Sequence, residues 1–186
     1  SGYPPGTSIS ADGRYVAFVS IATNLVPGDT NSSRDVFLRE RGGGTGQESG
    51  GWSGAPCNGN SFGPTVSPDG RFLAFESDAQ NVVSGDTNLS RDVFLVDHLQ
   101  QTVERVSVDS GGTQADGSSS HPAVSADGRY VAFESLATNL VGGDTNGSSD
   151  VFVRDLQTAT TTRVSVGAGG AQGNGASFRP AISADG

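Results

Sequence analysis

The sequence predicts an all-β fold, a β-propeller built from repeated four-stranded antiparallel blades, and three observations carry that reading. A Ser-Ala/Pro-Asp-Gly tetrapeptide recurs at residues 10–13, 67–70, 125–128 and 183–186, so Asp12, Asp69, Asp127 and Asp185 stand 57, 58 and 58 residues apart. Every unit holds short runs rich in Val, Phe and Tyr, bounded by Gly, Asp, Asn or Pro, which is the signature of short strands. No window carries the apolar period of an amphipathic helix. Four short strands per repeat make one propeller blade, which cannot bury its two faces without neighbours.

The elements follow in a fixed order. A first, inner strand precedes the Asp-Gly turn at 7–9, 64–66, 122–124 and 180–182. Asp-Gly between strands is a hairpin turn with positive φ at the Gly. The second strand follows at 14–18, 71–75 and 129–133, and a polar loop leads to a third beginning Asp35-Val36-Phe37, Asp92-Val93-Phe94 or Asp150-Val151-Phe152. The fourth is expected at 102–108 and 160–166, each ending Arg-Val-Ser-Val. In the first unit the matching stretch, 42–51, has six glycines, so a frayed or missing outer edge is expected there, with Trp52 as cover. The blades are thus placed at about 7–63, 64–121 and 122–179, with a fourth starting at 180–186 and a lone inner strand at 178–182. Three blades do not close a ring. The chain also has no Met. The expectation is therefore a segment of a larger ring of about six blades, or two copies joined head-to-tail as a homodimer.

The stretch Ser67-Pro68-Asp69-Gly70-Arg71-Phe72-Leu73-Ala74-Phe75-Glu76-Ser77 resembles the blade motif of TolB-like (WD-repeat-like) β-propellers, and the other two copies match with Ala11 and Ala126 for the Pro. The resemblance covers all three units. It implies an exported bacterial protein, extracellular or periplasmic, acting as a protein-binding module or as a non-catalytic lid beside a separate peptidase domain. A shared propeller fold does not itself fix activity.

Composition narrows the partners. Formal charge is −9 and every one of the eleven cations is Arg, so an acidic surface without a basic cluster argues against nucleic acid and anionic membranes. No apolar run approaches the ~20 residues of a membrane-spanning helix. The single cysteine, Cys57, excludes a disulfide within the chain and a Cys-based zinc site.

One constellation stands out. The loop before each third strand carries oxygen side chains at alternate positions: Asp29, Asn31, Ser33 and Asp35; Asp86, Asn88, Ser90 and Asp92; Asp144, Asn146, Ser148 and Asp150. Calcium takes six to eight oxygen ligands, and alternate residues of a tight loop can point oxygens at one centre. The acids five residues further on (Glu40, Asp97, Asp155) are excluded as ligands, because an extended strand carries them about 16 Å away. Asx turns are the competing reading, since Asp and Asn also close hairpin loops by bonding their own backbone. Two carboxylates per loop repel without a cation, which favours up to three calcium ions. Asn24, Asn81 and Asn139 precede the loops by five residues and suit a turn role.

Catalytic patterns are weak. Gly59-Asn60-Ser61-Phe62-Gly63 matches the hydrolase nucleophile elbow, but it lies before an inner strand and no helix follows, whereas an elbow is a strand-to-helix turn. The only histidines, His98 and His121, stand at different places in their repeats, leaving little from which to build a Ser-His-Asp triad. The sequence thus favours a non-catalytic structural or protein-interaction module. The alternatives are the propeller of a larger peptidase-type hydrolase, and a carbohydrate-binding propeller that would stack sugars on Trp52, Tyr3 or a Phe.

Overall fold

A computed structural model describes residues 6–186, and Tyr3 lies outside them. Twelve strands form three separate four-stranded antiparallel sheets, each with its strands in chain order. The first contains β1 (Thr7–Ile9), β2 (Tyr15–Ser20), β3 (Asp35–Glu40) and β4 (Thr45–Gln47). The second contains β5 (Ser61–Val66), β6 (Phe72–Ser77), β7 (Asp92–Asp97) and β8 (Thr102–Arg105). The third contains β9 (Ser119–Val124), β10 (Tyr130–Ser135), β11 (Asp150–Asp155) and β12 (Thr160–Arg163). This is the all-β, blade-by-blade architecture the repeat predicts.

Alternation along each strand explains how the sheets stack. In the middle sheet, Leu73, Phe75, Phe94 and Val96 pack into a core shared with Ala17, Val36 and Leu38 of the first sheet. Their neighbours Phe72, Ala74, Val93 and Leu95 point the other way, into a core shared with Val131, Phe133 and Phe152 of the third. All six residues of β6 are therefore buried. Each sheet is pinned internally by one directly opposed aromatic pair on its second and third strands, Phe18–Phe37, Phe75–Phe94 and Phe133–Phe152, with ring centroids 5.6, 5.6 and 5.8 Å apart.

The Asp-Gly turn is a junction part as well as a turn. Asp69 Oδ1 accepts from Ser67 Oγ at 2.6 Å and from the Arg71 N–H at 3.0 Å, closing the turn; Asp12 and Asp127 do the same in their sheets. Gly70 and Gly128 have φ of +79° and +71°, and a Cβ there would lie 2.0 Å from the Tyr15 ring and 2.4 Å from the Phe72 ring of the preceding sheet. Only glycine fits both demands. Arg71 lies over the Phe72 ring at 4.6 Å and makes a bidentate pair with Asp97, and Arg129 does likewise with Tyr130 and Asp155. Arginine thus occupies the strand-end acids that spacing had excluded as metal ligands.

A second junction device sits at the inner strands. The Glu76 carboxylate accepts the N–H of His121 in the next sheet at 2.7 Å, and Glu134 accepts the N–H of Arg179 at 2.7 Å. Both residues have positive φ, near +52° and +51°, His121 within β9 and Arg179 in the strandless segment that follows the third sheet. Val19 stands at the matching position of the first sheet, and the residue it would face is Gly63, which adopts positive φ without a Cβ.

Three expectations are corrected. Residues 178–182 form no strand, because the described chain supplies no second strand to pair with them; they nevertheless dock like the start of a further blade, with Ser177 N–H donating to Ser149 O and Ala126 N–H to Ala184 O. The glycine-rich edge of the first sheet does form a short strand, β4, in register with β3. Trp52 is 64% exposed, so it is not buried as a cover for that edge. Burial of the strand apolar residues also has limits: Val16, Phe18 and Val151 are half-buried, since they belong to outer sheets with an uncovered face.

Phe75→Ala should lower stability by about 3–5 kcal/mol in urea unfolding, as a large-to-small change in a fully buried site. Phe178→Ala, at a 64% exposed position, should stay within about 0.5 kcal/mol. Gly128→Ala should cost about 2 kcal/mol or more, because it adds both a strained φ and a clash with Phe72.

Candidate functional site

The acidic loops lie between the second and third strand of each sheet, and their last residue opens the third strand. In the middle sheet Asp92 is fully buried. Its Oδ1 accepts from Ser107 Oγ at 2.5 Å and its Oδ2 from Asn88 Nδ2 at 3.0 Å, while Ser107 Oγ accepts the Val93 N–H at 3.1 Å. The Asp–Ser pair therefore ties the third strand to the segment after the fourth. Asp150 with Ser165 and Asp35 with Ser49 repeat it at 2.6 and 2.9 Å.

The asparagines close the loops. Asn31, Asn88 and Asn146 each accept the N–H of Ser33, Ser90 and Ser148 through Oδ1, the Asx-turn bond, and each donates through Nδ2 to the backbone oxygen of Cys57, Ala115 and Gly173. The Oγ atoms of Ser90 and Ser148 lie 3.4 and 3.5 Å from the carbonyl oxygens of Asn88 and Asn146. Of the four oxygen-bearing side chains in each of these two loops, the fold brings the two carboxylates together; the Asn and Ser oxygens serve the turn. Asn81 and Asn139 likewise brace a neighbouring segment, accepting the N–H of Asn58 and Asp116.

Between the paired carboxylates sits an arginine. Arg105, the last residue of β8, approaches Asp86 Oδ2 at 3.2 Å and Asp92 Oδ2 at 3.6 Å. Arg163, the last residue of β12, reaches Asp144 Oδ2 and Asp150 Oδ2 at 3.4 Å each. These side chains are only 8% and 10% exposed, and their acidic partners at most 3%. Burial pushes the Asp86 and Asp92 carboxyls above the usual range, and Arg105 opposes that shift. Gln172 adds amide donors to Asp144 and Asp150 at 2.7 and 3.1 Å. Sequence reasoning missed both arginines and their serines, although the repeated Arg-Val-Ser-Val was their signal: its Arg and its Ser are the two residues that meet the acids.

The first loop has the acids and the serine but not the arginine. Gln47 pairs with Phe37 across the sheet just as Arg105 pairs with Phe94 and Arg163 with Phe152. Pro56 bridges Gly50 where Gln114 bridges Val108 and Gln172 bridges Val166. Asp29 and Asp35 are 7% and 0% exposed, and Asp29 Oδ1 and Asp35 Oδ2 are buried with no hydrogen-bond partner. Burial raises the Asp35 carboxyl; Ser49, Gln47 and Asn31 act against it, and the charge of Asp29 adds to it. The adjacent Cys57 thiol is pushed up to about 12, by burial first and by Asp35 second, and stays protonated.

The remaining candidates are structural in this geometry. Ser61 Oγ lies 2.9 Å from Ser77 Oγ, a buried bond across β5 and β6. His121 Nδ1 faces both Ser120 Oγ at 3.3 Å and Glu134 Oε1 at 3.0 Å, so a single ring nitrogen meets both groups, unlike a triad, in which the two nitrogens divide them. His98 approaches Glu48 at 3.5 Å in another sheet.

Solved structures share the fold. TolB from Acinetobacter baumannii superposes with a TM-score of 0.52 at 17% identity over 88% of this chain and 33% of its own. A TolB-type protein of Agrobacterium tumefaciens gives 0.54 at 19% identity, over 88% of this chain and 50% of that one. The fold is that of a TolB-like β-propeller. The propeller domain of the Trilobed protease from Pyrococcus furiosus also aligns, with a TM-score of 0.51 at 12% identity over 86% of this chain and 41% of that one. This propeller segment thus spans a third to a half of those chains. No family model and no curated sequence matches it.

Arg105→Gln, which copies the first loop into the second, should cost about 3–5 kcal/mol by leaving two buried acids unpaired. Arg14→Gln, at an exposed pair with Glu40, should leave the melting temperature essentially unchanged.

Proposed function

We propose that the chain is a non-catalytic segment of an exported bacterial propeller, acting as a structural and protein-interaction module. The observation that carries this reading is where its polar side chains are spent. The Asp-Gly turns, the Arg–acid clamps, the Glu76 and Glu134 carboxylates and the loop acids each hold one sheet together or join it to the next. The serines of the elbow-like motif pair with other serines. Among the described residues no helix is long and apolar enough to cross a membrane. Residues 177–186 dock on the third sheet with the bonds of the earlier junctions, which supports continuation of the ring by a further blade, of the same polypeptide in the first place or of a second copy.

A peptidase-associated propeller is the second reading, favoured by the likeness in fold to the Trilobed protease domain. The deciding experiment isolates the protein with its native flanking sequence from its own host. It measures compartment, reaction with a fluorophosphonate probe, hydrolysis of peptide and ester substrates, and chemical cross-links to protein neighbours. The module reading expects export, no labelling, no turnover and a reproducible cross-linked protein. Labelling of a serine outside residues 1–186 would establish the peptidase reading in its place. Labelling of Ser61 would overturn the non-catalytic assignment.

A further inference from the structure

We propose that the first acidic loop binds one divalent hard cation, calcium in the first instance, between Asp29 and Asp35, in the place that a guanidinium fills in the other two loops. This narrows the three-site expectation from loop spacing to one site, and it stands independently of the module reading. The second and third loops already hold their cation covalently, as Arg105 and Arg163. The first keeps the same pair of acids, the same Asp–Ser bond through Ser49 and the same Asx turn through Asn31, yet has Gln47 for the arginine and Pro56 for the glutamine. What is missing is the guanidinium, together with the side-chain amide that Pro56 replaces.

Two facts then point to a ligand. Asp29 Oδ1 and Asp35 Oδ2 are without hydrogen-bond partners in side chains that are more than nine-tenths buried, and such atoms normally have partners. Asp86 Oδ1 and Oδ2 and Asp144 Oδ2 also lack hydrogen bonds, but those acids have Arg105 and Arg163 within ion-pair distance, whereas Asp29 and Asp35 have no ion pair among the described residues. They belong to a pair whose counterparts in two sister loops do face a bound positive group. Two buried carboxylates without a counter-ion destabilise the fold. The donor set selects the ion: carboxylate oxygens and the Gln47 amide oxygen are hard ligands, which suit oxygen-seeking calcium.

The test uses the purified chain stripped with EGTA and dialysed into metal-free buffer. Calorimetric titration with CaCl2, and separately MgCl2, should show a single ion per chain. Calcium at a hundredfold excess over Kd should raise the melting temperature by about 5–10 °C. Gln47→Arg should abolish the calcium heat and raise the melting temperature of the metal-free chain, because it supplies the guanidinium. Asp29→Asn removes one acid without adding bulk and should also lose the heat, which keeps the test valid if Gln47→Arg folds poorly. No heat with either metal at millimolar concentration would overturn the proposal. Three ions per chain, or calcium binding unchanged in both variants, would overturn it equally. None of these readouts involves a partner or a substrate, so the outcome is separable from that of the proposed function.

Discussion

Everything in this fold rests on burying each sheet between two others. A four-stranded sheet of this length offers alternating apolar faces, and neither suffices alone. The middle sheet shows the arrangement complete, with Leu73 and Phe75 committed to one neighbour and Phe72 and Ala74 to the other. The outer sheets show it half complete, which is why Val16 and Phe18 are partly exposed where Leu73 and Phe75 are sealed. The turn glycines Gly70, Gly128 and Gly186 follow from the same constraint, because an aromatic of the preceding sheet fills the space a side chain would need.

Close stacking has an electrostatic consequence. It buries the loop acids at the head of each third strand, where charge is costly unless countered. The fold answers with serine and asparagine donors in all three loops and with arginine in two. Charge compensation is therefore local to each blade, whereas apolar burial is shared between blades.

Much of this was legible in the residues. The 58-residue repeat fixes the blades, and alternation fixes their faces, since both depend on local pattern. The acidic loops were legible as candidate cation sites by spacing, but their occupant was not. Arg105 and Arg163 each lie 19 and 13 residues beyond the two loop acids they meet, and only the register of β7 with β8 and β11 with β12 brings them back. The strand expected at 178–182 failed for the converse reason: strand character belongs to a pair, and the partner is not in the described chain. The glycine-rich β4 succeeded because three ladder positions against β3 outweigh weak propensity.

The junctions carry one more implication. Each blade meets the next through the same few parts: an aromatic against a turn glycine, a second-strand residue facing an inner-strand residue of positive φ, and, where Pro68 does not intervene, a turn amide donating to the following turn. A tandem duplication of the middle repeat would set Phe72 against a new Gly70 and Glu76 against a new Gly63, contacts already compatible with this geometry. Ring size in such a lineage can thus change by whole genetic units, with no intermediate that must invent an interface.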